Sequence, residues 1–217
     1  MLDKDREIEK YIAAHTSAED ELLHEIYRKT NLSVIQTRMI SGHVQGKILE
    51  FLSKMIKPKN ILEIGTFTGY SAICLAKGLQ NNGELHSIDI NDEILETAKL
   101  MIAKSQYANK IYLHAGDAKD VIPALNKKFD IVFIDGDKRN YTDNYKAVFD
   151  LVNTGGYIFA DNVLWDGKVV EPVKPNDRQT AGIIEFNDFV QNDLRVENVL
   201  FNVRDGLMII RKLKNRL

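Results

Sequence analysis

Apolar residues recur at helical spacing over the first 57 residues of the chain. Ile8, Ile12 and Ala13 share one face of a first predicted helix. The segment Thr16-Ser17-Ala18-Glu19 has the composition of a capping box and predicts the start of a second helix. A third helix is predicted between about residues 43 and 56. We therefore expect the chain to begin with helices and to place its remaining elements after them.

After this helical part the pattern changes to short apolar runs that alternate with helical segments. The runs are predicted as strands, and they lie at Asn60–Ile64, Glu84–Ile88, Ile111–His114, Phe129–Ile134 and Gly156–Ala160. The helical segments that follow the first four are Tyr70–Leu79, Asp92–Gln106, Ala118–Leu125 and Tyr141–Val152. This alternation predicts a parallel sheet covered by helices on both faces.

The C-terminal part predicts a different connection. A helix at about Thr180–Asp193 is followed by two apolar runs, Val196–Asn202 and Gly206–Lys212, with three residues between them. So short a connection joins antiparallel strands, because a parallel crossover needs about a dozen residues or more. The predicted fold class is α/β, with a mainly parallel, seven-stranded sheet that has one antiparallel strand at its C-terminal end. We expect a single domain over residues 1–217, with its α/β core in residues 58–217.

Composition excludes several classes of protein. The 217 residues are 44% hydrophobic and 28% charged, which is typical of globular proteins and excludes collagen-like and low-complexity chains. The 29 basic and 31 acidic residues give a net charge of −2, without the basic excess of a dedicated nucleic-acid binder. One cysteine, Cys74, allows no intrachain disulfide and fits a reducing compartment. Because no apolar run resembles a signal peptide or a membrane span, we expect a cytoplasmic protein.

A glycine-containing turn after the first predicted strand is the strongest local motif. The strand ends in Glu63, and Gly65 and Gly69 follow before the next helix. Glycine allows tight turns and close approach of a ligand, and a helix N-terminus offers unpaired N–H groups. The spacing is GxxxG rather than the GxGxxG of dinucleotide sites, and an acid disfavours a pyrophosphate here. The motif favours a cationic, phosphate-free nucleoside ligand, and an ordinary strand–helix turn with a surface glutamate is the alternative.

The next two strand ends could complete a nucleoside site. Asp89 ends the second predicted strand, 20 residues after Gly69, where a carboxylate can accept the hydroxyls of a ribose. Gly116-Asp117-Ala118 follows the third strand and could cover an adenine ring. For this segment a helix N-cap formed by Asp117 is an equal alternative.

Oxygen ligands follow the fourth and fifth predicted strands. Asp135 comes directly after one of them, and Asp161 and Asn162 end the other. Neighbouring parallel strands place their carboxyl ends together, so these three side chains can converge. Two carboxylates and one amide oxygen are hard donors suited to Mg²⁺ or Ca²⁺, although each acid alone could simply be a capping residue. The five histidines show no ligand spacing, so a zinc site is not predicted.

Taken together, the segments EIGTFTGYS, SIDIN, GDA, FIDGDKRNY and ADNVLWDG resemble the cation-dependent O-methyltransferases, the family of catechol and caffeoyl-CoA O-methyltransferases and their bacterial relatives. The match runs in order from about Met39 to the C-terminus. The resemblance implies the Rossmann-like fold of class I S-adenosylmethionine-dependent methyltransferases. It also implies an enzyme that requires Mg²⁺ or another divalent cation such as Mn²⁺ or Ca²⁺, and a homodimer.

The resemblance also implies roles for individual residues. S-adenosylmethionine would be bound by Met39, Ser41, Glu63, Gly65, Thr66, Ser71, Asp89, Ala118 and Asp135. The metal ligands would be Asp135, Asp161 and Asn162, and the catalytic residues would be Asp135 and Lys138, the latter as general base. In this mechanism the ion binds two adjacent substrate oxygens and lowers the pKa of one hydroxyl. Lys138 then takes the proton, provided that its own pKa is depressed.

The methyl acceptor is open between two classes. We favour a vicinal dihydroxy, catechol-like small molecule. The alternative is a 5-hydroxyuridine in tRNA, which some bacterial relatives methylate and which basic residues of the N-terminal part, such as Lys10 and Lys29, could help to bind. A nucleotide-dependent dehydrogenase is disfavoured by the glycine spacing. A non-catalytic cofactor-binding protein is disfavoured by the intact set of Asp135, Lys138 and Asp161.

Overall fold

The computed structural model describes residues 2–33 and 40–213 of the chain. Within these ranges it contains eight α-helices, seven strands and two 3₁₀ turns. The helices are α1 (Leu2–Ala14), α2 (Glu21–Ser33), α3 (Gly42–Ile56), α4 (Tyr70–Ala76), α5 (Asp92–Ile102), α6 (Ala118–Leu125), α7 (Tyr141–Phe149) and α8 (Arg178–Gln191). The strands are β1 (Asn60–Ile64), β2 (Glu84–Asp89), β3 (Ile111–Ala115), β4 (Phe129–Ile134), β5 (Val152–Asp161), β6 (Val196–Phe201) and β7 (Leu207–Lys212). The 3₁₀ turns are Lys138–Asn140 and Lys168–Val170.

The seven strands form one sheet in the order β3-β2-β1-β4-β5-β7-β6. Strands β1 to β5 pair in parallel, whereas β7 is antiparallel to both β5 and β6. The predicted α/β class and the single antiparallel strand are therefore confirmed. Strand β7 lies between β5 and β6 rather than at the edge, because the final hairpin folds its second strand back against β5.

Side chains alternate along the strands and create an apolar layer on each face of the sheet. Leu62 and Ile64 of β1 pack with α6, α7 and α8, whereas Ile61 packs with α2 to α5. The carboxyl ends of β1 to β5 thus lie together at one edge, held from both sides by buried helices. The described helices include none that is long and apolar enough to cross a membrane.

The start of α2 differs from the prediction. Asp20, rather than a residue of the proposed capping box, accepts a hydrogen bond from the backbone N–H of Leu23 at 2.9 Å. Thr16 instead donates its hydroxyl to the carbonyl of Ile12, at the end of α1. The sequence analysis did not identify Asp20, because residues 16–19 directly before it also have the composition of a helix start. Only the residue at which the helix begins decides which side chain caps it.

Helices α4 and α5 end earlier than their apolar patterns suggest. Helix α4 stops at Ala76, two residues before Gly78. A Cβ atom at Gly78 would lie 2.2 Å from the Ser53 backbone, and the Ser53 hydroxyl donates to the carbonyl of Leu75 at 2.6 Å. The close approach of α3 therefore limits α4, which a pattern read along one segment does not show.

A buried ion cluster fastens α3 to the first helices of the core. Glu50 of α3 accepts hydrogen bonds from Lys54 at 2.5 Å, Lys77 at 2.9 Å and Lys47 at 3.1 Å. Lys77 also pairs with Asp20 at 2.7 Å, which joins α4 to the start of α2. Burial alone would raise the pKa of Glu50, but the three lysines lower it to about 2. Glu50 is therefore ionised at neutral pH.

Replacing Glu50 by Ala should lower the free energy of unfolding by about 2–4 kcal/mol, because two mostly buried lysines, Lys47 and Lys77, lose their shared carboxylate. Urea unfolding of the variant measures this change. Glu96→Ala is the matched control, since Glu96 is exposed and pairs only with exposed Lys99 at 3.8 Å. Equal destabilisation of the two variants would contradict the assigned role of the cluster.

Candidate active site

The turn after β1 packs directly against the loop after β4. Gly65 N–H donates to the carbonyl of Ile88 at 2.9 Å, and Asp135 N–H donates to that of Ile64 at 2.8 Å. Gly65 has a φ of +104°, and a Cβ atom there would lie only 2.2 Å from the Asp135 carbonyl oxygen. Position 65 therefore requires glycine for two reasons: its backbone conformation disfavours other residues, and there is no room for a Cβ atom. The structure brings the predicted cofactor turn and the predicted acidic site into contact.

Glu63, at the end of β1, is completely buried. Its Oε2 accepts a hydrogen bond from the Ser87 hydroxyl, which lies 2.6 Å from the hydroxyl of Thr66, and its Oε1 has no partner. Burial raises the pKa of Glu63 to about 8, and the nearby charges of Asp135 and Asp89 add to the rise, whereas the neighbouring hydroxyls of Ser71 and Ser87 oppose it. An unpartnered buried carboxyl oxygen at a strand end fits a cationic ligand, which would supply the missing hydrogen bond.

The contribution of Glu63 to the stability of the ligand-free protein should fall as pH rises from about 4.5 to about 8, because the folded protein keeps the Glu63 proton that the unfolded chain releases near pH 4.5. The Glu63→Gln variant lacks this proton linkage. Urea unfolding at pH 5 and pH 8 should therefore show Glu63→Gln gaining stability relative to the unmodified protein at the higher pH. An offset that is the same at both pH values would contradict the buried, protonated state of Glu63.

Asp89 and Asp117 occupy the ends of the next two strands. Asp89 accepts hydrogen bonds from Phe67 N–H at 2.8 Å and Asn91 N–H at 3.0 Å, so its carboxylate ties β2 to the glycine turn. Asp117 accepts from Lys119 N–H at 3.0 Å, as the capping alternative predicted. Ala118 is the first residue of α6 and is buried. These residues line the same carboxyl edge as Glu63.

The remaining predicted cofactor residues lie on α3, on α4 and outside the described part. Ser71 is buried in the first turn of α4. Ser41 is buried directly before α3, and its carbonyl accepts a hydrogen bond from Arg204. Met39 lies outside the described residues.

Asp135 and Asp161 lie side by side, since β4 pairs in parallel with β5 and the register places Ile134 beside Ala160. Asp161 is 3% exposed and accepts a hydrogen bond from Asn162 N–H at 2.8 Å. Burial, followed by the negative charge of Asp135, raises the pKa of Asp161. Two carboxylates placed side by side, with Asp161 buried, form an acidic pair that can attract a cation.

Lys138 reaches into this acidic pair from the 3₁₀ turn. Its ammonium lies 2.9 Å from Asp135 Oδ1 and donates to the Tyr141 hydroxyl at 2.7 Å. Tyr141 in turn donates to the Asp161 carbonyl at 3.0 Å. Burial would lower the pKa of Lys138, but the charge of Asp135, with Tyr141 and Asp161, raises it. The condition of a depressed pKa is thus not met in the ligand-free protein, where Lys138 is an ammonium ion.

The sequence analysis missed Tyr141, which contacts this centre, and the pairing of Gln45 with Arg204. Tyr141 stands inside the quoted segment FIDGDKRNY, and its spacing of three residues from Lys138 on a helical turn was the available signal. Gln45 and Arg204 hydrogen bond to each other across 159 residues of sequence, which no local pattern reveals. In residues 2–33 and 40–213, no three His, Cys, Asp or Glu side chains group as a metal site.

Comparison with known proteins shows to which family this chain belongs. A model of the O-methyltransferase family matches residues 13–213. The chain belongs to the O-methyltransferase family. Caffeoyl-CoA O-methyltransferase 5 of Nicotiana tabacum is 36% identical over 186 residues, covering 81% of this chain and 78% of that protein. Caffeoyl-CoA O-methyltransferase of Eucalyptus gunnii is 35% identical, and the aligned region covers 81% of this chain and 75% of that protein.

Solved structures of O-methyltransferases share the fold and hold the cofactor. TomG of Streptomyces achromogenes, an O-methyltransferase in complex with S-adenosylmethionine, superposes with a TM-score of 0.89 at 27% identity, covering 99% of this chain and all of that one. The Bacillus cereus O-methyltransferase in complex with S-adenosylhomocysteine superposes with a TM-score of 0.85 at 26% identity. The superposition covers 94% of this chain and 96% of that one. The protein is thus an S-adenosylmethionine-dependent O-methyltransferase, as its sequence motifs predicted.

Proposed function

We propose that this O-methyltransferase requires a divalent cation and methylates one hydroxyl of a small molecule that carries two adjacent hydroxyls. The observation that carries the proposal is the acidic pair of partly exposed Asp135 and buried Asp161, placed beside Lys138 and against the glycine turn. Asp135, Asp161 and the amide of Asn162 would hold a cation such as Mg²⁺, Mn²⁺ or Ca²⁺. The chemistry supplied by the bound groups would be a transferable sulfonium methyl and a lowered pKa of the substrate hydroxyl.

The chain's own residues then orient and neutralise the reacting groups. The carbonyl of Asp135 touches Gly65, so a displacement of the acidic loop would also displace the cofactor turn. The Lys138 ammonium is held from two sides by Asp135 and Tyr141. To act as general base, Lys138 would first have to release its own proton, and as a neutral amine it could then accept the proton of a hydroxyl placed beside Asp135. Because Lys138 and Tyr141 are buried, little water reaches their contacts and the electrostatic interactions there are strong. Catalysis would come largely from positioning.

The residues that would bind S-adenosylmethionine are likewise proposed from their positions in the structure. Glu63, with its free Oε1, would accept a hydrogen bond from a cationic group of S-adenosylmethionine, and Asp89 would accept the ribose hydroxyls. Gly65, Thr66, Ser71 and Ala118 border the same edge, with Ser41 on the facing segment. Asp135 would contribute to both sites. Measuring S-adenosylhomocysteine affinity in single variants at these positions tests each assignment separately.

The tRNA alternative has weaker support. Lys10 and Lys29 each pair with an acid on their own helix at 2.7 Å, and Lys47 is part of the Glu50 cluster. Such pairing leaves these three lysines little unopposed positive charge for phosphates. The cytoplasmic location and the homodimer remain predictions from the sequence.

One assay separates the two classes of methyl acceptor. Labelled S-adenosylmethionine is incubated with a mixture of catechols and hypomodified tRNA, with Mg²⁺ or with a chelator, and the products are separated by acid precipitation. We expect label in the soluble fraction and its loss with the chelator. Label in the precipitate would instead establish tRNA as the substrate, and soluble label that withstands the chelator would contradict metal dependence.

A further inference from the structure

Arg204, in the loop between β6 and β7, holds the segment that leads into α3. Its Nη1 donates to the carbonyls of Ile40, at 3.2 Å, and Ser41, and to Gln45 Oε1 at 2.6 Å. All three acceptors are uncharged, and all three residues are buried. The contacts join segments up to 164 residues apart in the sequence and have no part in the proposed mechanism.

Ser41 is a buried serine whose hydroxyl α3 does not use. It is 5% exposed and occupies the N-cap position, where serine usually accepts a hydrogen bond from a backbone N–H of the first turn. Within α3, all of whose residues are described, Ser41 makes no such bond, and its backbone has a helical φ of −57° instead of the extended conformation of a capping serine. The helix therefore leaves this hydroxyl available to a ligand.

The Ser41 end of α3 packs beside the helix that follows the cofactor turn. A Cβ atom at Gly46, in the second turn of α3, would lie 2.6 Å from Cε1 of Tyr70, so the two helices approach closely there. Tyr70 is the first residue of α4 and directly follows Gly69 of the turn. Ser71, which is proposed to bind S-adenosylmethionine, comes next. A displacement of the start of α3 would therefore move Ser41 relative to the rest of the cofactor site.

The position of Arg204 is unfavourable in two ways. Its φ of +50° is a left-handed conformation that disfavours a residue with a Cβ atom. Its guanidinium also lies at the N-terminus of α3, where the helix dipole disfavours a positive charge. The loop is held because Leu164 N–H donates to the Asp205 carbonyl at 2.8 Å, which fixes it to the segment after Asp161. Strain that the surrounding structure maintains is found mainly at functional sites.

We propose that Arg204 is a positioning residue for cofactor binding, which fixes the segment of Ile40 and Ser41 so that the Ser41 hydroxyl can contact S-adenosylmethionine. The proposal rests on the proposed function, because it takes Ser41 as a residue that binds the cofactor. Arg204 holds the segment by its backbone carbonyls and so leaves the Ser41 hydroxyl free for the cofactor. A hydroxyl that is in place before the cofactor arrives loses less entropy on binding.

Calorimetric titration of the full-length protein with S-adenosylhomocysteine tests the proposal. Arg204→Met keeps the strained backbone and removes the donor, and it should weaken the affinity by about 10-fold, the size expected for one lost hydrogen bond to the cofactor. Arg204→Lys keeps a cationic donor for the Ser41 carbonyl and should restore part of the affinity. Arg211→Met is the matched control, since Arg211 is exposed on the same hairpin and pairs with Glu197 at 2.9 Å. It should bind as the unmodified protein does.

Arg204→Gly distinguishes positioning from general packing. Glycine adopts a positive φ without strain, so this variant should unfold at the same urea concentration as the unmodified protein or at a higher one. Its affinity should nevertheless fall as in Arg204→Met, with a raised KM for S-adenosylmethionine and an unchanged kcat at saturating cofactor. Unchanged affinity in Arg204→Met, or a loss of affinity in Arg204→Gly that accompanies a loss of stability, would overturn the proposal.

Ser41→Ala is the reference that separates this proposal from the proposed function. We expect it to weaken binding, and the double variant with Arg204→Met to be little worse than the weaker-binding single variant, because both act at one contact. Additive losses would overturn the positioning role alone, as would a loss in Ser41→Ala with normal binding in Arg204→Met. Normal binding in Ser41→Ala would overturn the proposed cofactor contact of Ser41 and the positioning role together.

Discussion

Replacing Asp135 by Asn should lower methyl transfer by about 10³-fold or more, since the substitution removes a proposed cation ligand and the charge that balances Lys138. A neutral amide of the same size leaves the buried Lys138 ammonium without its counter-ion. The effect should appear in kcat at saturating S-adenosylmethionine and saturating Mg²⁺, measured with a dihydroxy aromatic acceptor. The folded state is checked separately by thermal unfolding.

Asp143→Asn provides the matched control for this prediction. Asp143 is an exposed residue in the first turn of α7, close in sequence to the site but on the surface. Its substitution makes the same chemical change and should leave kcat little altered. Comparable losses in the two variants, or full activity in Asp135→Asn, would contradict the assignment of Asp135.

Gly65→Ala should strongly weaken cofactor binding and destabilise the fold. The added Cβ would lie 2.2 Å from the Asp135 carbonyl oxygen at a φ of +104°, so the two loops must separate. A displacement of this size commonly costs about 10²-fold in binding or rate. It should also lower the free energy of unfolding by about 3 kcal/mol or more. Calorimetric titration with S-adenosylhomocysteine and urea unfolding measure the two effects.

Gly155→Ala isolates the conformational part of this effect. Gly155 also has a positive φ, +80°, but a Cβ atom there would have nothing within 4 Å. Its substitution should cost only about 1–2 kcal/mol and leave the affinity for S-adenosylhomocysteine unchanged. If Gly65→Ala behaves like Gly155→Ala, the contact between the cofactor turn and the acidic loop is not needed for binding.

The sheet and the position of the candidate site could be predicted from the sequence, because short continuous segments of the chain are enough to indicate them. Each strand of the parallel part is an apolar run, and each predicted site residue except Met39 and Ser41 lies at or after a strand end. The carboxyl edge of a parallel sheet then brings Glu63 and Asp135 together without further information. For the same reason the fourth and fifth strands brought Asp135 and Asp161 side by side.

The features that could not be predicted depend on packing between distant segments. Helix α4 is shortened by the backbone of Ser53, and Arg204 reaches Gln45 from the other end of the chain. The protonation state of Lys138 could not be predicted either, because it depends on how closely Asp135 and Tyr141 approach its ammonium. The sequence suggested the residues in this centre, but their charge states follow from distances.

The most direct test of the central claim is methyl transfer to a catechol, compared with a phenol that lacks the adjacent hydroxyl, in protein stripped of metal by a chelator. With Mg²⁺ restored, we predict transfer to the catechol and little to the phenol, and without Mg²⁺ we predict almost none to either. Equal transfer to the catechol with and without Mg²⁺ would contradict the account of Asp135 and Asp161 as a cation site.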